Sequence, residues 1–139
     1  MKKLLFMALI FASANLFGQV KPINFDDCKT DIMFVSAEIQ PQWNDSLSIP
    51  NYLNHYFDKH SFILNKDING KIVLGIMIYD DGKTCCSTFF NLTKSQLNPE
   101  QFRKAVNEMH KWVPAKQNGK AIIFLKNQIV EIKDGSFSE

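Results

Sequence analysis

Three cysteines, three histidines and a few short glycine and acidic motifs are the residues of this 139-residue chain that could do chemistry. Cys85 or Cys86 with His110 would make a nucleophilic pair only if folding brought thiol, imidazole and an orienting group together, and nothing local announces that. Adjacent thiols in an apolar run serve packing equally well. His55 and His60 stand five apart, which separates them around a helix, and no Cys-x-x-Cys or His-x-x-x-His spacing occurs, so no metal is expected. Gly70, Gly75 and Gly82 never form a glycine-rich loop leading into a helix, which removes a phosphate cradle. Asp80-Asp81 stands directly before Gly82 and reads as turn chemistry rather than as an acid and base pair. The sequons Asn44-Asp45-Ser46 and Asn91-Leu92-Thr93 read as chance. No catalytic residue and no cofactor is expected, which directs attention to binding.

The cysteines acquire a setting from the start of the chain. "MKKLLFMALIFASANLFGQ" has a basic opening, an apolar stretch from Leu4 to about Ala12 and small residues at Ala12-Ser13-Ala14 and Gly18. That is the layout of a secretory leader, cleaved between Ala14 and Gln19 and assigned here to residues 1–19. The rival, a retained anchor, needs about 20 apolar residues, and Asn15 interrupts the run first. Export places Cys28, Cys85 and Cys86 in an oxidising compartment where a disulfide forms readily. An odd number leaves one unpaired within the chain. A bond between neighbours Cys85 and Cys86 needs a distorted peptide, so the pairing expected is Cys28 with Cys85 or Cys86, against three buried thiols. Without Lys2 and Lys3 the sixteen basic side chains fall to fourteen, against fourteen acidic ones. No basic stripe remains for phosphates, which excludes nucleic acid.

The elements that would position these residues follow from spacing. Residues 20–48 mix short apolar pieces with Asp26, Asp27, Pro41 and Asn44-Asp45 and read as an arm, with one short strand near Ile32 to Val35. From 49 to 139 the pattern is that of one domain. Ser48 and Pro50 suit a helix start, and Tyr52, Leu53, Tyr56 and Phe57 make one apolar stripe. Ile72, Leu74, Ile76 and Ile78 alternate as a strand, Asp81-Gly82 turns the chain, and a return strand runs from about Lys83 to Asn91. The facing of that return strand stays open, since a bulge could shift its phase. Asn98, Pro99 and Glu100 open a second helix with a stripe of Phe102, Ala105, Val106 and Met109, stopped by Val113-Pro114. Asn118-Gly119 then turns into a last strand from Lys120 to about Ile132. The expectation is an α+β fold of order α-β-β-α-β, with a three-stranded antiparallel sheet and both helices on one face.

The stretch "MHKWVPAKQNGKAI", Met109 to Ile122, resembles the signature of TonB C-terminal-like domains, with Trp112, Pro114, Asn118 and Gly119 in the matching places. "NGKIVLGIMIYDDGK" is similar to the same family's strand and hairpin, with Gly70 and Gly82 as its glycines. The resemblance covers about residues 40 to 132. It departs in two ways: "QPQWNDSLS" stands where such versions carry Pro-Gly-Gly, and a full energy transducer has an anchor and a proline-rich spacer that this chain lacks. Trp112 reads as a core residue closing the second helix over the sheet, and Pro114 as fixing the exit of the chain.

The resemblance implies a periplasmic module whose last strand lies at a sheet edge and recruits an extended segment of an outer-membrane transporter. The edge expected to bind is Ile122, Ile123, Phe124, Leu125, Asn127 and Ile129. Ile123, Leu125 and Ile129 share the outward face, which is more apolar surface than a one-sided sheet requires. Either the arm folds back over that face, or a partner docks there. The expected partner is an outer-membrane transporter or another envelope protein, with no membrane span once the leader is removed. The alternative is an envelope assembly protein that uses the domain to form a homodimer.

Overall fold

The computed structural model describes residues 21–30 and 32–138, so the leader expected at 1–19 lies outside the described residues. In chain order the elements are β1 (Ile23–Asn24), β2 (Gln42–Trp43), α1 (Ile49–Lys59), β3 (Gly70–Ile78), β4 (Thr84–Asn91), α2 (Pro99–Asn107), β5 (Trp112–Val113), β6 (Lys116–Gln117), β7 (Lys120–Ala121), β8 (Phe124–Lys133) and β9 (Ser136–Ser138). The class is α+β, but the main sheet has five antiparallel strands in the order β1-β4-β3-β8-β9 rather than three. Two small two-stranded sheets, β2-β5 and β6-β7, complete it.

Local chemistry sets the helices. Ser48 accepts a hydrogen bond from the Asn51 amide and Asn98 from the Glu100 amide, each satisfying an orphan donor of a first turn that also carries a proline. The second helix stops at Asn107, earlier than the sequence expectation near Val113-Pro114. Two contacts account for this. The buried Thr84 hydroxyl lies 2.6 and 2.8 Å from the Val106 and Met109 carbonyl oxygens, one in the helix's last turn and one just beyond it, and so holds the chain where the helix ends. Beyond them, Trp112 and Val113 leave the helix to pair with Trp43 and Gln42 of the arm.

The core lies on the helical face of the sheet. Ile72, Leu74, Ile76 and Ile78 of β3 pack there with Val130 and Ile132 of β8, beneath Leu53, Phe57, Phe102 and Val106. A bulge settles the facing of β4. Gly75 pairs with Thr88 but Ile76 with Cys86, which leaves Ser87 as the extra residue. Thr84, Cys86 and Phe89 therefore all turn inward and are buried. The Cys86 amide at the bulge donates to the Asn107 side chain at 2.7 Å. Stacking of Phe89 on Phe102, with centroids 4.6 Å apart, joins this strand to α2.

The expected last strand, Lys120 to Ile132, is two strands. Asn118 (φ 52°) and Gly119 (φ 75°) form the turn of the short β6-β7 hairpin, and Ile122 and Ile123 lie between β7 and β8. A second hairpin follows at Asp134 (φ 50°) and Gly135 (φ 74°), folding β9 back on Glu131 to Lys133. The arm differs as well. Residues 32–35 make no strand but a single parallel bridge, Phe34 with Phe124. Its strands are instead β1, which joins the main sheet beside Phe89, and β2, which pairs with Trp112.

Candidate functional site

Begin with the backbone of β8. Its inner side pairs with β3 along its whole described length, from Phe124 to Ile132. On the outer side the Phe34 amide donates to the Ile123 carbonyl and the Leu125 amide donates to the Phe34 carbonyl, both at 2.9 Å. Strand backbone groups alternate in direction, so the odd-numbered residues of β8 are the ones that face outward. Glu131 and Lys133 face β9. Between these two caps the amide and carbonyl groups of Asn127 and Ile129 face out with no neighbouring strand among the described residues, the Ile129 carbonyl accepting from the Gln128 side-chain amide at 3.2 Å. From Leu125 to Glu131 this bare stretch spans roughly 20 Å, at about 3.3 Å per residue.

The neighbouring edges are closed. Asn54 of α1 pairs with the far side of β9 as a strand would, its side chain donating to the Phe137 carbonyl and accepting from the Phe137 amide at 2.9 Å each. A short hairpin and one asparagine therefore shield the last strand, whereas the middle of β8 keeps unpaired groups of the kind that template strand addition.

Side chains shape two hollows around the bare stretch. On the sheet face away from the helices, Pro22, Val73, Thr88, Phe90, Asn127 and Ile129 line an apolar cleft of about 410 Å³. Between two of its lining residues lies Gly75, which pairs with Thr88 on one side and Asn127 on the other. A Cβ on Gly75 would stand 2.1 Å from the Thr88 Oγ1. Around the edge itself a groove of about 550 Å³ runs past Trp43, Ile49, Pro50, Gln128, Ile129 and Ser138. Ile129 lies on both and is 61% exposed.

At the other end of the same face the arm supplies cover. Cys28 is bonded to Cys85, with Cα atoms 5.6 Å apart, and Cys85 pairs across β4-β3 with Met77, which is 3% exposed. Arg103 on α2 holds the arm just upstream, through an ion pair with Asp27 and a position 5.7 Å over the Phe25 ring, and is itself steadied by Glu100 of the same helix at 2.6 Å. From Cys28 on β4 to Phe34 on β8, the arm passes from one side of β3 to the other.

The expected edge residues thus separate. Asn127 and Ile129 lie in the bare stretch; Ile123 and Leu125 are bound by Phe34; Phe124 is buried at 4%; Ile122 lies before the strand, its amide donating to Ala115. The expectation that the last strand forms a free sheet edge is corrected by β9 and Phe34. Trp112 is 6% exposed in β5, with its indole N–H unpartnered among the described residues and its ring 5.5 Å from that of Trp43. Pro114 follows β5, and Gly70 opens β3. Gly82 needs its glycine twice over: its φ is 84°, and a Cβ there would stand 2.5 Å from the Trp112 carbonyl oxygen.

The cysteine chemistry that the sequence raised meets a different environment. Cys85 is in the disulfide, and Cys86 is a buried free thiol whose pKa burial pushes up to about 12. His110 is exposed. Sequence reasoning missed Phe34, Val73 and Phe90 as parts of the site, since each belongs to it only through tertiary pairing. Asp134-Gly135, the same dipeptide as Asp81-Gly82, was the signal for the hairpin that closes half the edge. Set against protein-family models, curated proteins and solved structures, this chain matches none.

Proposed function

We propose that this chain is a protein-binding module of the bacterial periplasm that takes up an extended segment of an outer-membrane transporter. The segment adds as a strand along Lys126 to Val130 of β8. One observation carries the reading: among the described residues the outward amides of Asn127 and Ile129 and the Asn127 carbonyl have no partner between Phe34 and β9, and the Ile129 carbonyl accepts only from the neighbouring Gln128 side chain at 3.2 Å. Main-chain pairing there supplies affinity, and the cleft beside Ile129 selects an apolar side chain from alternate positions of the segment. The resemblance of Trp112, Pro114, Asn118 and Gly119 to TonB C-terminal-like domains supports the choice of a transporter.

The capped ends favour a flexible segment over a second copy adding its own β8. A ten-residue strand laid along the edge would run into Phe34 and β9, which occupy the same layer. A segment of about five residues fits between them.

The test is capture from detergent-solubilised envelope. Asn127→Pro removes an outward donor while leaving the pairing with β3 intact, because that amide points away from β3. Ile129→Lys places a charge at the cleft. The expected result is an outer-membrane transporter held by the wild-type chain and lost in both variants, with melting temperatures unchanged. Capture that survives both substitutions, or recovery of nothing but further copies of this chain, would defeat the reading.

A further inference from the structure

The edge of β8 begins before its bare stretch, and the residue in front is the chain's own. Phe34 holds the Ile123 carbonyl and the Leu125 amide, two of the outward groups that an incoming strand would meet beyond Asn127. It does so without support from its neighbours: Ile32 is 70% exposed, Met33 48% and Val35 73%. Phe34 itself is 39% exposed, so the contact rests on two backbone hydrogen bonds and the partial burial of one residue. On either side the arm is fastened firmly. Upstream is the Cys28–Cys85 bond; downstream Ile39 and Lys116 exchange hydrogen bonds of 3.1 and 3.0 Å.

We propose that Phe34 is a tethered plug, which occupies the first part of the docking edge and steps off it to admit a partner strand. This rests on the strand-addition reading above and adds its regulation. The arm is fastened at Cys28 and at Ile39, so Phe34 leaves and returns without the arm being lost. Tethering keeps its effective concentration at the edge high, and a partner must compete with it. The parallel direction of the Phe34 bridge also states what the edge accepts: an apolar extended run aligned with β8.

The chain's own residues 32–38 provide the probe. A fluorescently labelled peptide of that sequence is titrated onto the full chain, and binding is read by anisotropy. Phe34→Pro withdraws the donor to Ile123 and frees that part of the edge. It should bind the probe about tenfold more tightly than wild type, the gain expected from two further backbone hydrogen bonds. Cys28→Ser lengthens the tether and should tighten binding by a smaller factor; it also serves if Phe34→Pro does not fold. Adding Asn127→Pro should weaken the probe in every background. Equal affinity of wild type, Phe34→Pro and Cys28→Ser overturns the plug and leaves strand addition standing. Failure of the probe to bind any form overturns strand addition, and the plug with it.

Discussion

Trp112 shows how a residue can carry a family-like signature and still act through packing alone. Its ring fills the space between Trp43 and the end of α2, and its carbonyl oxygen lies against Gly82, so it ties the arm to the first hairpin. Trp112→Ala should cost about 3–5 kcal/mol, measured as a fall in the urea midpoint at constant slope. Trp112→Phe should cost clearly less, because it removes an N–H that is buried without a partner among the described residues. Cys86 gives a pH dependence of known sign. Its thiol stays protonated in the native chain up to about 12, whereas in the unfolded chain it ionises near 8.5. The unfolded state therefore sheds the proton first, and the stability this group contributes is present below about pH 8.5 and lost as pH climbs towards about 12. Thermal melts of wild type and Cys86→Ala across that range should converge as pH rises. Parallel curves would mean that Cys86 is less buried than it stands here.

Among the elements, those with a full period of pattern were legible and those of two or three residues were not. The stripe of Tyr52 to Phe57, the alternation of Ile72 to Ile78 and the capped start at Asn98-Pro99 each announce their element, because many residues repeat one signal. Two-residue strands such as β1, β2 and β5 contain no repeat to read. Their pairing with Phe89 and Trp112 is decided by where the arm is carried in space. The phase of β4 was equally out of reach, since the bulge at Ser87 exists only against β3. Half the candidate site was legible: Asn127 and Ile129 follow from alternation along β8, while the caps at Phe34 and β9 that bound the site do not. The disulfide is the element-scale contact with the largest predicted effect. It closes a loop of 57 residues, and Cys28→Ser should destabilise the chain by about 2–5 kcal/mol, read as a lower melting temperature that a reducing agent does not lower further. An unchanged melting temperature would show that Arg103 and β1 hold the arm by themselves.

On the scale of the whole molecule the arm works as a strap. It starts as β1 at one edge of the sheet, is held by Arg103 and the disulfide, reaches the far edge at Phe34 and ends against Trp112 on the helical side. Along β8 it caps one end of the outer side and β9 caps the other, and the apolar cleft opens beside the gap between them. No helix among the described residues is long and apolar enough to cross a membrane. The central claim is that the gap takes a strand, and amide hydrogen exchange at single residues addresses it most directly. In the free chain the amides of Asn127 and Ile129 should exchange fast while those of Lys126 and Gln128, turned towards β3, exchange slowly. In the complex with the captured transporter, Asn127 and Ile129 should become as slow as their neighbours. Fast exchange at both residues in a complex that is otherwise fully formed would contradict strand addition at this edge.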